Sequence, residues 1–340
     1  MKHIVIPKYG PPDVLEVRRS PTPPLKAHEV RIRVAFTGLG FAEVMARQGL
    51  YPDAPPTPCT VGYEISGEID EVGSEVQDFQ PGQRVLALTR FGGHADTVCV
   101  DAGFAFEIPD EMSFEEAAAL PVNYLTAHHM LFRTRRVQPG ETMLLHMAAG
   151  GVGTAVLQLA KTVADLQVIG TASAKKHDYV LSQGCHHVID YHQHDYAEEV
   201  ERITQGRGVD LVIDALGGHD WRKGYELLRP GGMLIAFGFA NMNRGGRRKL
   251  LHVARQFLGL PLFNPMTLMD ENRALAGVNL GHLWEEREML RPQARSLISY
   301  YERGEIRPHV DRVFPFAKAA EAHRYLEGGH NRGKVLLQPS

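Results

Sequence analysis

The stretch Thr142-Met-Leu-Leu-His-Met-Ala-Ala-Gly-Gly-Val-Gly153 decides how this chain folds. An apolar run from Thr142 to Met147 gives way to a glycine turn and then to an apolar-periodic stretch from Gly153 to Ala164, which predicts strand, turn and helix in succession. Within it, Ala148-x-Gly150-x-x-Gly153 is a Gly-x-Gly-x-x-Gly fingerprint with alanine in first place. The middle glycine lets the backbone approach a pyrophosphate, the last lets helix and strand pack closely, and unpaired N–H groups at the helix start face the anion. The hexamer alone is also compatible with a glycine turn in any α/β protein. The strand before it, the helix after it and a second strand-helix unit select the dinucleotide reading.

Reading outward, the alternation continues downstream. Gln167 to Thr171 predicts a strand, Ala174 to Gln183 a helix closed by Gly184, and His187 to Asp190 a short strand. A helix near Tyr196 to Thr204, a strand from Val209 to Ile213, a helix from Trp221 to Leu228, a turn at Pro230-Gly231-Gly232 and a strand from Met233 to Phe237 follow. Strands alternating with helices across short turns predict an open parallel sheet covered on both faces. Upstream, about 120 residues rich in Pro, Gly and β-branched side chains read as short antiparallel strands, including Val30 to Val34, Gly67 to Val72 and Arg84 to Leu88. Ser113-Phe-Glu-Glu116 has the spacing of a capping box, opening a helix that Pro121 stops. After about residue 280 the alternation ends, and a helix near Glu285 to Tyr301 and a strand from Lys334 to Leu337 are expected to rejoin the first unit.

The end of the second strand separates the two nicotinamide cofactors. An NAD site places an acid there to hold the ribose 2′-hydroxyl. Here the stretch reads Gly170-Thr-Ala-Ser-Ala-Lys-Lys-His177, with two lysines and no acid. A 2′-phosphate carries nearly two negative charges, and the Ser173 hydroxyl and Lys176 ammonium complement it. NADPH is therefore the expected cofactor.

Composition narrows the class. The 340 residues are 44% hydrophobic and 23% charged, with 37 Lys+Arg against 40 Asp+Glu and a formal net charge of −3. That is the profile of a globular chain with room for two domains and no global attraction to nucleic acid or anionic lipid. Cys59, Cys99 and Cys185 are too few and too scattered for a disulfide framework or a cysteine-rich zinc lobe. The N-terminal apolar run is broken at once by Pro7 and Lys8, so no signal peptide is expected and the cytoplasm is the expected location. The pairs His128-His129, His186-His187 and His192-x-His194 read as core or solvated histidines, and no metal is assigned.

Taken together with Gly38-Leu-Gly-Phe-Ala-Glu-Val-Met-Ala-Arg-Gln-Gly-Leu-Tyr51, Pro81-Gly-Gln-Arg-Val85, Phe114-Glu-Glu-Ala-Ala-Ala-Leu120, Val188-Ile-Asp-Tyr191 and Gly333-Lys-Val-Leu-Leu337, these motifs resemble the medium-chain dehydrogenase/reductase superfamily. They are similar in particular to its zinc-free quinone oxidoreductase branch and, within that, look like the vesicle amine transport protein homologues. The resemblance implies an α/β fold of two domains. One is a GroES-like β-rich domain from residues 1–122 and 282–340; the other is a doubly wound Rossmann domain, 123–281, and the active cleft lies at their junction. It implies NADPH contacts at Thr126 beside the nicotinamide, at Gly151 and Val152 on the pyrophosphate, and at Ser173, Lys176 and Tyr191 round the adenosine phosphate. Gly238 and Phe239, in the turn Phe237 to Asn241, and Asn279, ending the strand Ala276 to Asn279, would close over the cofactor from the far side.

Two departures stand out. An Asn common in the branch is replaced by Gly40, which removes a side chain near the nicotinamide ribose. Where zinc-dependent relatives carry Gly-His-Glu, this chain has Gly62-Tyr63-Glu64, and no Cys lies between Gly38 and Glu43. A catalytic zinc would lose two of its usual ligands. The acceptor expected is one already activated, a quinone or an α,β-unsaturated carbonyl, with the protein supplying orientation and a dry pocket. Tyr51 is the candidate proton donor, its phenol bonding the carbonyl oxygen as negative charge develops, or else it packs against the substrate. Tyr63, in the vacated ligand position, is the second candidate for the pocket, and a buried space-filling ring is its other reading.

Arg244 to Lys249, followed by the amphipathic stretch to Leu258, is a cation cluster that would suit an anionic membrane or a partner, or an excursion against the substrate cleft or a second subunit. The leading expectation is an NADPH-dependent reductase acting as a homodimer through the last sheet strand near Leu275 to Leu280. Its rivals are an NADPH-binding interaction protein at vesicle or membrane surfaces and an enoyl-thioester reductase.

Overall fold

The computed structural model describes residues 1–243 and 261–339. The cation cluster Arg244 to Lys249, the stretch to Leu258 and the membrane contact considered for 244–258 lie outside the described residues.

In chain order, the N-terminal part carries β1 (Lys2–Val5), β2 (Glu16–Arg19), β3 (Glu29–Leu39), α1 (Phe41–Gln48), β4 (Glu64–Val72), β5 (Arg84–Leu88), β6 (Thr97–Asp101), β7 (Ala105–Glu107), α2 (Phe114–Ala119) and α3 (Pro121–His128). The middle carries β8 (Thr142–Leu145), α4 (Gly151–Ala160), β9 (Gln167–Thr171), α5 (His177–Ser182), β10 (His187–Ile189), α6 (Tyr196–Thr204), β11 (Val209–Asp214), α7 (His219–Glu226), β12 (Leu228–Ala236), α8 (Pro265–Glu271) and β13 (Ala274–Gly277). The C-terminal part carries α9 (Arg287–Glu302), β14 (Val310–Pro315), α10 (Ala319–Glu327) and β15 (Lys334–Gln338). Two compact units result, one from Met1–Leu125 with Leu280–Ser340, the other from Thr126–Asn279.

The first unit is β-rich. Its spine is β3, where Val30, Ile32 and Val34 alternate inward at the two-residue period of a strand and pack on Ile65, Ile69 and Val85. β4 and β6 pair antiparallel with β3, and so does β15, which sets Val335 opposite Leu39 and ties the chain's end into the first sheet. β14 then adds to β15 in parallel. The capping box forms: the Ser113 hydroxyl accepts from the Glu116 N–H at 3.1 Å, and the Glu116 carboxylate accepts from the Ser113 N–H at 3.1 Å. α2 ends at Ala119, ahead of Pro121 as expected, but Pro121 also begins a new helix. It opens α3 one residue after α2, because a missing N–H costs nothing at a first helical position.

The second unit is an all-parallel sheet, among the described residues in the order β10-β9-β8-β11-β12-β13. Helices cover strands of this kind, so Leu144, Ile169, Val212 and Leu234 are fully buried rather than alternating with exposed positions. Pro230-Gly231-Gly232 is not a turn before a strand but an irregularity inside β12. Leu228 pairs with Val209 and Met233 with Leu211, so the three residues bulge outward, and the Gly231 N–H finds the Asn272 carbonyl at 2.7 Å. The strand expected to run to Asn279 ends at Gly277, although the Val278 N–H still donates to the Ala236 carbonyl of β12 at 2.9 Å. Among the described residues no helix is long and apolar enough to cross a membrane.

Candidate functional site

In the parallel unit β8 leads to β9 and β10 on one side, and the chain then returns to lay β11, β12 and β13 on the other. The reversal makes the boundary between β8 and β11 a switch point, and the crevice outside the carboxyl ends of those strands is where open α/β sheets hold ligands. The fingerprint lies there. Met147 takes a positive φ of 55° to leave β8, Gly150 caps α4 in an extended conformation, and the Thr154 N–H closes on the Gly150 carbonyl at 2.8 Å. A β-carbon on Gly153 would stand 2.5 Å from the Met147 carbonyl oxygen and 2.7 Å from Ala148 backbone atoms. Only glycine permits so close an approach of helix to strand. A β-carbon on Gly150 would meet that same oxygen at 3.3 Å. The cradle thus has bare backbone at Gly150, Gly151 and Gly153, with Val152 between them, at the start of a ten-residue helix. That arrangement fits a dinucleotide pyrophosphate.

Ser173 follows β9 on the adjacent strand end, and its hydroxyl caps nothing. Lys176 is half-buried at the start of α5. Tyr191, beyond β10, is about half exposed with its ring 4.4 Å from that of His192. On the other side of the switch point, Gly238 and Phe239 leave β12, and Phe239 stacks on Trp221 with ring centroids 5.3 Å apart. Gly217, at φ 78°, lies under the Phe239 ring, where a β-carbon would sit 2.0 Å from a ring carbon. Asn279 lies past β13. These positions therefore share the carboxyl edge of one sheet, whereas Thr126 is buried in α3.

Sequence reasoning missed a buried polar layer under this crevice. The ring of His146 meets the Thr171 hydroxyl at 3.2 Å, and that hydroxyl also accepts the Met147 N–H at 3.3 Å, joining the ends of β8 and β9. One oxygen of Asp214 accepts the N–H groups of Leu216 and Gly217 at 2.6 and 2.9 Å and shapes the loop leaving β11. His146 Nε2 stands 4.0 Å from the other oxygen, and neither side chain reaches solvent. Burial pushes the histidine below its ordinary range and the carboxyl of Asp214 above its own, so His146 is neutral. The only sequence signal was position, an ionisable residue at the end of each of two apolar strands.

The pocket candidates lie in the β-rich unit. Gly40 caps α1, and its N–H donates to Glu43 Oε2 at 2.9 Å. The rings of Tyr51 and Tyr63 meet edge-on with centroids 6.2 Å apart, and Tyr63 leans on Phe91 at 5.4 Å. Desolvation, then the Glu43 carboxylate, drives the Tyr63 phenol far above its ordinary range, so it stays protonated.

Residues 26–110 match the family described as alcohol dehydrogenase GroES-like domain, and residues 183–337 the one described as zinc-binding dehydrogenase. The chain is 42% identical over 341 residues to the human synaptic vesicle membrane protein VAT-1 homolog, covering all of this chain and 86% of that one. It is 33% identical over 347 residues to a quinone oxidoreductase of Pseudomonas aeruginosa, with 99% of each covered. It belongs to the medium-chain dehydrogenase/reductase family, in the quinone oxidoreductase branch. A crystal structure of the Escherichia coli quinone oxidoreductase complexed with NADPH superposes on the whole chain with a TM-score of 0.88 at 29% identity. At the position where the resemblance would set a zinc-ligating histidine the chain has Tyr63, and its three cysteines are at 59, 99 and 185.

Proposed function

We propose that this chain is an NADPH-dependent, zinc-independent reductase of quinones or α,β-unsaturated carbonyls. The observation that carries the reading is the glycine cradle at the β8–β11 switch point, flanked on the β9 side by Ser173 and Lys176 rather than by an acid. Gly150 to Gly153 would hold the pyrophosphate by backbone N–H groups, and Ser173, Lys176 and Tyr191 the 2′-phosphate. When bound, NADPH supplies the hydride. Phe239, Gly238, Asn279 and Thr126 would orient its remaining parts. The protein's own task is to place an activated acceptor, to keep water from it and to stabilise the negative charge that develops on its oxygen. Tyr51 is the group proposed to hydrogen-bond that oxygen; Tyr63, half-buried and held protonated, shapes the pocket.

Fluorescence titration with NADPH and NADH, followed by NADPH oxidation with a panel of quinones, enones and enoyl thioesters, tests this. Preferential NADPH binding with turnover on quinones or enones is expected, and turnover on enoyl thioesters alone would move the substrate class. Tight NADPH binding with no turnover would support instead an NADPH-binding interaction protein, the reading favoured by likeness to a protein named for vesicle membranes and by the missing side chain at Gly40.

A further inference from the structure

The β-rich unit buries a cluster of charged groups that the proposed chemistry does not use: Glu43 on α1, Glu64 at the start of β4 and Lys334 at the start of β15, exposed by 3, 1 and 4%. Lys334 Nζ is paired with Glu64 Oε1, and the second oxygen of Glu64 accepts the Val122 N–H at 2.7 Å. Glu43 accepts the N–H of Gly40 at 2.9 Å, faces the Tyr63 phenol and has Lys334 as its opposite charge. The backbone is cut to fit these carboxylates. A β-carbon on Gly38 would fall 2.3 Å from Glu64 Oε1, and one on Gly40 would fall 3.1 Å from Glu43 Oε2 and 4.0 Å from Lys334 Nζ.

Stability alone does not account for such a cluster, since apolar side chains of similar volume fill a core without the cost of desolvating three charges. Glu43 instead holds the backbone at Gly40, one of the three pocket positions, at the start of the helix that leads to Tyr51, and it faces Tyr63, the ring against which Tyr51 lies. We propose that Glu43 is a positioning residue for the acceptor: through the N–H of Gly40 it fixes the start of α1, the helix that leads to Tyr51, and so the placement of Tyr51 against the Tyr63 ring, while Lys334 and Glu64 hold its carboxylate in register. The inference rests on the reductase reading above.

The charged and titratable groups facing Glu43 are Lys334 from β15, Glu64 from β4 and the Tyr63 phenol; Tyr63 in turn faces Tyr51 and Asp53, and His94 faces Lys334. Two carboxylates sharing one ammonium carry a net negative charge unless the pair retains a proton, and burial favours retention. Loss of that proton at high pH places an extra negative charge beside the pocket, where negative charge must also develop on the acceptor.

The test uses the full chain with NADPH and a 1,4-naphthoquinone as acceptor, comparing wild type with E43A, E43Q and K334M. E43A is expected to lose about ten- to a hundred-fold in kcat/KM, the scale of a misplaced reacting group. Its NADPH affinity by fluorescence titration is expected to stay within about twofold, because Glu43 is not in the unit that carries the fingerprint. E43Q keeps one acceptor oxygen, so it is expected to recover part of the loss and to lack the fall in kcat/KM at high pH that wild type shows. Where E43A does not fold, E43Q and K334M carry the same comparison. Wild-type kcat/KM in E43A, loss of NADPH affinity in proportion to activity, or identical pH profiles for wild type and E43Q would overturn the assignment. If wild type reduces no acceptor, the reductase reading fails; the positioning role is then judged by amide hydrogen exchange over residues 38–51 and 60–66, where faster exchange in E43A supports it and unchanged exchange overturns it.

Discussion

Replacing Gly153 by alanine puts the geometry of the dinucleotide turn to a quantitative test. The added methyl would stand 2.5 Å from the Met147 carbonyl oxygen and 2.7 Å from two backbone atoms of Ala148. None of these is the far end of a flexible side chain, so α4 must move away from the end of β8. Overpacking of this kind costs about 1–3 kcal/mol. Alanine's better helix propensity, relevant because Gly153 is the third residue of α4, offsets up to about 1 kcal/mol. The net loss of about 1–2 kcal/mol corresponds to a fall of roughly 2–8 °C in Tm. Gly150→Ala should behave differently. Its methyl would meet only the Met147 oxygen, at 3.3 Å, so stability changes little, but it occupies the space a pyrophosphate needs, and NADPH affinity should fall about tenfold or more. Gly277→Ala, where a β-carbon meets nothing within 4 Å, is the control for both. Scanning calorimetry and NADPH fluorescence titration on the three variants measure the two effects separately. Equal melting of Gly153→Ala and Gly277→Ala, or wild-type NADPH binding by Gly150→Ala, would refute the reasoning.

Lys176→Glu should weaken NADPH by about tenfold or more while leaving NADH nearly unchanged, because it reverses the charge beside the proposed 2′-phosphate; paired titrations with both nucleotides check it, and an unchanged preference removes Lys176 from the site. His94 is buried, donates from Nε2 to the Gly38 carbonyl at 3.0 Å, and burial pushes its pKa down to about 4. The unfolded chain takes up this proton near pH 6.5 and the folded chain only near 4, so the stability His94 contributes is full above about pH 6.5 and is lost as pH falls toward 4, up to about 3 kcal/mol. Denaturant titrations at stepped pH should show this slope and should show it flattened in His94→Leu. Exhaustive chelation should leave NADPH oxidation unchanged, and stoichiometric zinc in the purified protein would overturn the metal-free reading. A second copy of the chain is proposed to pair along β13, the sheet edge, where Leu275 is partly exposed and Met266 and Met269 on α8 are largely exposed; Leu275→Lys should then yield a monomer by light scattering.

Some of the structure was readable because the chemistry involved is local. Ser113 and Glu116 cap the same helix turn from three residues apart, and Gly150 and Gly153 are required by atoms of Met147 and Ala148 only a few positions away. Pro230-Gly231-Gly232 was misjudged, and the helix start at Pro121 missed, for the converse reason. The same residues suit a stop, a helix start, a turn or a bulge, and distant partners such as the Asn272 carbonyl choose among them. The buried ionisable layer escaped altogether. Nothing in the order of residues distinguishes Glu43, Glu64 or Lys334 from the many solvated acids and lysines, and His146 with Asp214 acquires meaning only when β8 and β11 become neighbours.

Residue order was enough to establish the strand-glycine-helix unit, the alternation that builds a parallel sheet and the acid-free end of β9. Each depends on backbone sterics, side-chain period or residue identity within a short window. Folding in three dimensions decided which charges were stripped of water and against what. Lys334 meets Glu64 only because β15 returns to pair with β3 beside β4, and His146 meets Asp214 only because the winding reverses after β10. Desolvation depends on every neighbour at once, and those neighbours come from opposite ends of the chain.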